Sequence, residues 1–137
     1  MVSEQRPPRG LLDTSIFVAL EEGRPVRQEA LPRQSTISVV TRAELRVGVL
    51  AAEDIESRDR RIATFEAAGR FAALPVDDEV ARAWSRMRAY LAASGSRVPI
   101  NDMWIAATAA AYEIPILTQD GDFDALNGVA GLTVIPV

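Results

Sequence analysis

Acidic residues recur in this chain at one kind of place, after a short apolar run and before a helix-forming stretch. The segments are Leu11-Leu12-Asp13-Thr14-Ser15, Thr41-Arg42-Ala43-Glu44-Leu45, Ile100-Asn101-Asp102-Met103-Trp104, Leu117-Thr118-Gln119-Asp120 and the adjoining Asp122-Phe123. If the apolar runs are parallel strands, the acids meet at the carboxyl edge of one sheet, where open α/β folds place their sites. Such a cluster is hard to sustain without a cation. Two unit charges about 4 Å apart repel by roughly 4 kcal/mol at an effective dielectric of 20. The pattern therefore points to a divalent metal and metal-assisted chemistry.

The residue types that are absent narrow that chemistry. No histidine is present, which removes Ser-His-Asp triads and histidine-bound zinc. No cysteine is present, so there is neither a disulfide framework nor a thiolate metal site. All 15 basic residues are arginine, so a Walker A lysine and a Schiff base are excluded. Carboxylates are left as the main source of polar chemistry, and carboxylate and water ligands suit Mg²⁺ or Mn²⁺. The net charge of −4 argues mildly against a nucleic-acid partner. One or two bound dications would offset it locally.

The elements that must position these acids are legible in outline. A chain of 137 residues, 48% of them hydrophobic, suits one domain with a real core. No apolar stretch approaches the roughly 20 residues of a membrane span, and Met1–Gly10 does not read as a signal peptide, so a cytoplasmic protein is expected. Helices are expected at 14–20, 41–52, 55–68, 79–93 and 103–112, with a short one within 121–127. Strands are expected at 11–12, 35–39, 115–118 and 132–137, and a strand or extended link at 71–76. Val80, Trp84, Met87 and Leu91 fall at the spacing of one buried helical stripe. Thr41–Ala52 is apolar on nearly all faces and reads as a buried helix, with Gly48 marking a close helix contact. Alternating strands and helices favour a parallel α/β sheet.

Each acid also has a purely structural explanation. Asp13, Asp102 and Asp120 fit helix N-caps, worth about 0.5–2 kcal/mol. Thr41 and Glu44 match the capping-box spacing. Asp77-Asp78-Glu79 fits first-turn acid favoured by the helix dipole. Capping does not explain why nearly every strand-to-helix junction uses an acid, nor the Asn101-Asp102 pair in an apolar segment.

Taken together, Leu-Leu-Asp13-Thr-Ser-Ile-Phe, Thr41-Arg-Ala-Glu44-Leu, Ile-Asn101-Asp102-Met-Trp-Ile-Ala-Ala and Thr118-Gln-Asp120-Gly-Asp122-Phe resemble the four signature blocks of the PIN domain. More closely they resemble the VapC-type toxins of toxin–antitoxin pairs, in order and spacing, from Leu11 to about Phe123. The resemblance implies a three-layer α/β/α, Rossmann-like fold with a central, mainly parallel sheet. It implies one PIN domain over residues 1–137, with 1–9 as a flexible segment. It further implies a Mg²⁺- or Mn²⁺-dependent endoribonuclease toxin cutting tRNA or rRNA loops. Such a toxin is a homodimer neutralised by a cognate VapB-like antitoxin.

On the matching positions, Asp13 and Asp102 are the main metal ligands and Glu44 the third acid. Asp122 is the fourth acid and a ligand, with Asp120 as its rival. Thr14, Ser15 and Thr118 are hydroxyl neighbours of ligands or phosphate, and Asn101 orients the site or substrate. Glu44 is a candidate to take the proton of the attacking water, while Arg82, Arg86 and Arg88 are candidates to track the RNA backbone. The alternatives are a PIN-type RNA-processing nuclease outside a toxin–antitoxin pair, or a PIN module that binds RNA or protein without cutting. A dehalogenase-like phosphatase wants Asp-x-Asp where Asp13-Thr14-Ser15 stands, and a receiver domain wants a lysine.

Overall fold

The computed structural model of the chain describes residues 6–137. Five short strands form one sheet in the order β3-β2-β1-β4-β5, and every neighbouring pair is parallel. They are β1 (Arg9–Leu12), β2 (Gln34–Ser38), β3 (Ala72–Leu74), β4 (Ile116–Thr118) and β5 (Val134–Pro136). Strand β1 lies at the centre. The chain adds β2 and β3 on one side of it, then crosses over to add β4 and β5 on the other. The junction of β1 with β4 is thus the topological switch point, where the carboxyl ends of adjacent strands open a crevice.

The strand residues alternate between two cores, as period-2 geometry requires. Leu11 and Ile116 pack under α4 (Asp78–Ser94) and α5 (Ile100–Ala111). Leu12, Leu117 and Ile37 pack with Ile16 and Phe17 of α1 (Thr14–Glu21), Leu45 of α2 (Val39–Leu50) and Ala68 of α3 (Ile55–Ala68). The result is the expected three-layer α/β/α arrangement, its short strands apolar on both faces because both are covered. At Gly10 a Cβ would lie 2.6 Å from Leu117 Cδ1 and 3.0 Å from Pro32 Cγ, so any larger residue would make the Leu117 side chain or Pro32 give way. Among the described residues no helix is long and apolar enough to cross a membrane.

The stripe read on α4 is real. Val80, Met87 and Leu91 are buried, and the partly buried Trp84 stacks on Trp104 with centroids 4.9 Å apart. Several other expectations need correction. Strands and helices do not alternate throughout: α2 runs into α3, and α4 into α5, without an intervening strand. Helix α2 is not buried on most faces, since Val47 and Leu50 are 61% and 74% exposed and only Thr41 and Leu45 are buried. Its apolar composition was a poor guide because one side of it packs on β2, β3, α1, α3 and α5 while the side carrying Val47 and Leu50 is left open. The contact at Gly48 is with a side chain: Arg61 donates to its carbonyl at 2.8 Å.

Of the segment 1–9, expected to be flexible, residues 1–5 lie outside the described residues. Within the described part, Arg9 already belongs to β1, and the Pro7 and Pro8 carbonyls accept hydrogen bonds from the amides of Arg33 and Gln34. Prolines remove donors but leave carbonyls, and those suffice to extend the ladder.

Candidate active site

Strand β1 ends at Leu12, and the next residue, Asp13, caps α1, its carboxylate accepting from the Ser15 amide at 3.2 Å. The capping role and the site position coincide. The same Oδ2 accepts from the Thr118 hydroxyl at 2.8 Å, across the β1–β4 junction. Thr118 in turn accepts from the Asp120 amide at 2.9 Å. Ser15 Oγ lies 3.2 Å from Thr118 Oγ1 and accepts from the Gln119 amide at 3.0 Å. Two strand ends are therefore laced together through hydroxyls around one nearly buried carboxylate. Burial pushes the Asp13 carboxyl above the ordinary carboxylate range, against the opposing effect of these hydrogen bonds.

Asp120 caps a short 3₁₀ segment, Gly121–Leu126, by accepting from the Asp122 amide at 2.9 Å. Phe123 and Leu126 of that segment are fully buried, which anchors the backbone carrying Asp122. Asp102 occupies the third position of α5, whose start is at Ile100 behind Pro99. It is therefore not an N-cap, because the proline, pre-set for a helix entry, starts the helix two residues earlier. Met103, Ile105, Ala106 and Ala107 bury the helix against the sheet and hold Asp102 at the sheet's carboxyl edge.

Glu44 arrives from the second turn of α2. The expected capping box with Thr41 is not formed. Ser38 caps α2, accepting from the Val40 amide at 3.0 Å, so Thr41 and Glu44 already lie inside the helix. Thr41 is buried and hydrogen-bonded to Thr14 at 2.9 Å. Thr14 Oγ1 donates to Glu44 Oε1 at 2.7 Å, and Asn101 Nδ2 reaches Glu44 Oε2 at 3.4 Å. Thr41 thus joins the site's hydroxyl network, a role its spacing as a box residue concealed. Gln119, also absent from the sequence-based set, ties the site to the loop after α1 through Nε2 to the Pro25 carbonyl at 2.7 Å.

Electrostatics shows how closely the acids gather. Asp102 is pushed up to about 7, first by burial and then by the charges of Asp13, Asp120, Glu44 and Asp122. The amino end of α5 favours an anion at this position, but burial and crowding prevail. One carboxylate oxygen from each of Asp102, Asp120 and Asp122 lies within 4.8 Å of the other two. Asp120 and Asp122, posed as rivals, both converge with Asp102, whereas Asp13 stands outside that trio. Oxygen donors at such spacing match the hard, carboxylate-and-water coordination of Mg²⁺ or Mn²⁺, so the residues present fit a dication.

Comparison with known proteins places this geometry among relatives. The PIN domain family model matches residues 10–129. Ribonuclease VapC5 of Mycobacterium tuberculosis is 51% identical over 131 residues, 96% of this chain and 97% of that protein. Ribonuclease VapC4 of the same organism is 44% identical, over 92% and 97% of the two chains. A crystal structure described as a member of the VapBC family of toxin-antitoxin systems, VapBC-5, from Mycobacterium tuberculosis, has a TM-score of 0.90 to this chain. It shares 49% identity and covers 96% of this chain and 100% of its own.

Proposed function

The chain belongs to the PIN-domain family, and on that premise we propose that it is a metal-dependent endoribonuclease of the VapC type, the toxin of a toxin–antitoxin pair. The observation that carries the reading is the convergence of Asp102, Asp120 and Asp122 beside Asp13 and Glu44 in a chain with no histidine, cysteine or lysine. The names of the ribonuclease relatives and the toxin–antitoxin description of the structural relative support it independently.

Asp102, Asp120 and Asp122 would hold Mg²⁺ or Mn²⁺, with Asp13 completing the acidic wall behind them. When bound, such an ion supplies a water of lowered pKa and neutralises charge on the scissile phosphate. The protein's own groups do the rest. Thr118 and Ser15 hold one oxygen of Asp13, Oδ2, through two hydrogen bonds and so keep its carboxylate in one orientation. Glu44 is steadied at Oε1 by Thr14, and Oε2, held only by the long contact to Asn101, is the oxygen we assign to take the attacking water's proton. The substrate class is RNA with exposed single-stranded loops, as in tRNA or rRNA. The partners are a small VapB-like antitoxin that fills the acidic crevice and a second copy of this chain.

The test is cleavage of folded tRNA and rRNA fragments by the purified, antitoxin-free protein in Mg²⁺, Mn²⁺ or EDTA. Asp13→Asn and Asp102→Asn are run alongside. Cutting at a defined loop, dependent on the metal and abolished in both folded variants, is expected. Cleavage persisting in the variants would overturn the site. Absence of both cleavage and metal binding would leave a non-cutting PIN module.

A further inference from the structure

Two cavities border helices α4 and α5, and their charges differ. One, of about 650 Å³ at the amino edge, sets Arg82 and Arg86 against Glu79 and Glu113, and Arg82 is already paired at 3.3 Å with both Asp78 and Glu79. It is self-compensated. The other, of about 580 Å³, lies between the end of α4, the loop after it and the first turn of α5. Trp84, Leu91 and Met103 give it apolar walls, Ile100 its exposed lip, and Arg88 and Arg97 its charge. No carboxylate among the described residues lines it.

In a chain with net charge −4, and with Asp102 of the acidic cluster on the same helical turn as its lip, a cavity bearing only positive charge is out of keeping with its surroundings. Ile100 and Asp102 share the first turn of α5, on opposite sides, so the lip of the cavity stands about one helix diameter (~10 Å) from Asp102. Trp84, stacked on Trp104, keeps a buried indole N–H with no acceptor among the described residues.

We propose that this cavity is a substrate subsite that seats one RNA nucleotide next to the cleavage centre, its phosphate on Arg88 and Arg97 and its base against the apolar wall around Trp84. Arginine suits the phosphate because its fork of donors matches two phosphate oxygens. Aromatic and apolar walls receive a base without demanding a particular one. The assignment separates the three arginines expected to track RNA: Arg88 contacts the strand here, with Arg97 as its partner, while Arg82 and Arg86 belong to the compensated cavity. It rests on the ribonuclease reading above.

Both tryptophans of the chain are in the stacked pair, so intrinsic fluorescence reports on this cavity. A short oligouridylate titrated in EDTA, which stops cutting, should change that fluorescence. Arg88→Ala and Arg97→Ala should each weaken binding about tenfold or more and lower the salt slope by about 1. With a cleavable loop fragment and Mg²⁺ they should raise KM while leaving kcat within about twofold, since neither reaches the acids. Calorimetric Mg²⁺ binding should be unchanged in both variants. Wild-type affinity and salt slope in the variants would overturn the subsite while leaving the nuclease reading intact. A change in sedimentation with unchanged RNA affinity would also overturn it, by making the cavity a contact between copies. Failure of the unaltered chain to bind or cut any RNA would instead sink the ribonuclease reading.

Discussion

The carboxylates at the centre of this molecule are held against their own preference. Asp13 and Asp102 are both raised, by burial first and, for Asp102, then by neighbouring acids. A carboxyl whose folded pKa exceeds its unfolded value favours the folded state when protonated. In metal-free protein, stability is therefore highest below about pH 4 on this account and falls as pH rises through about 7. Melts in EDTA should show that decline, and Asp102→Asn should flatten it. Divalent-metal affinity should run the opposite way, rising about tenfold per pH unit below 7 as one proton is released on binding. A pH-independent affinity between 5 and 7 would contradict it. Thr118→Val tests the hydroxyl lacing. It removes the donor to Asp13 and the acceptor for the Asp120 amide without emptying the position. The expected loss is about 10–100-fold in metal affinity or activity with the fold retained, as for other residues that orient ligands. Unchanged metal binding by calorimetry would show that Asp13 needs no such support.

At the scale of elements, the helix starts decide where the acids stand. Ser38, not Thr41, caps α2, and Ser38→Ala should cost about 0.5–2 kcal/mol in urea unfolding with an unchanged m-value. An effect on Thr41→Ala alone would restore the capping box. Pro99 sets the start of α5 and so turns Asp102 from a cap into a side chain facing the other acids. Helix α4 closes at Gly95, at φ +73 in the left-handed region, which frees the loop bearing Arg97 to turn back toward α5. There Gly95→Ala should cost about 1–2 kcal/mol.

For the whole molecule, the proposed ion would tie stability to occupancy of the acidic cluster. Saturating Mg²⁺ or Mn²⁺ should raise the Tm, with about 2.7 kcal/mol gained at a hundredfold excess over Kd. EDTA should reverse the gain, and a variant carrying Asp102→Asn together with Asp122→Asn should lose most of it. An equal rise in that double variant would mean the ion binds elsewhere. The parallel sheet makes the arrangement possible, because strands running one way bring their carboxyl ends, and the turns that follow, to the same edge.

How much of this was readable from the chain differs by residue. Composition narrowed the chemistry to carboxylates, and the recurrence of Asp13, Glu44, Asp102, Asp120 and Asp122 along the chain marked the candidate site. The stripe on α4 was legible because burial on one face writes a period into the sequence, and the strands were legible as short apolar runs because both their faces are covered. Tertiary structure alone decided the remainder. It withdrew Thr41 and Glu44 from a capping box and set Asp120 and Asp122 side by side with Asp102. It also left Asp13 just outside that trio and paired Arg97 with Arg88 around one cavity. The reason is physical: spacing along a chain constrains neighbours within a turn or two, whereas a site is a meeting of residues far apart in the chain, as Thr118 and Asp13 are at 105 positions. Which of them touch depends on strand order and helix entry, and those are settled by packing the whole core at once.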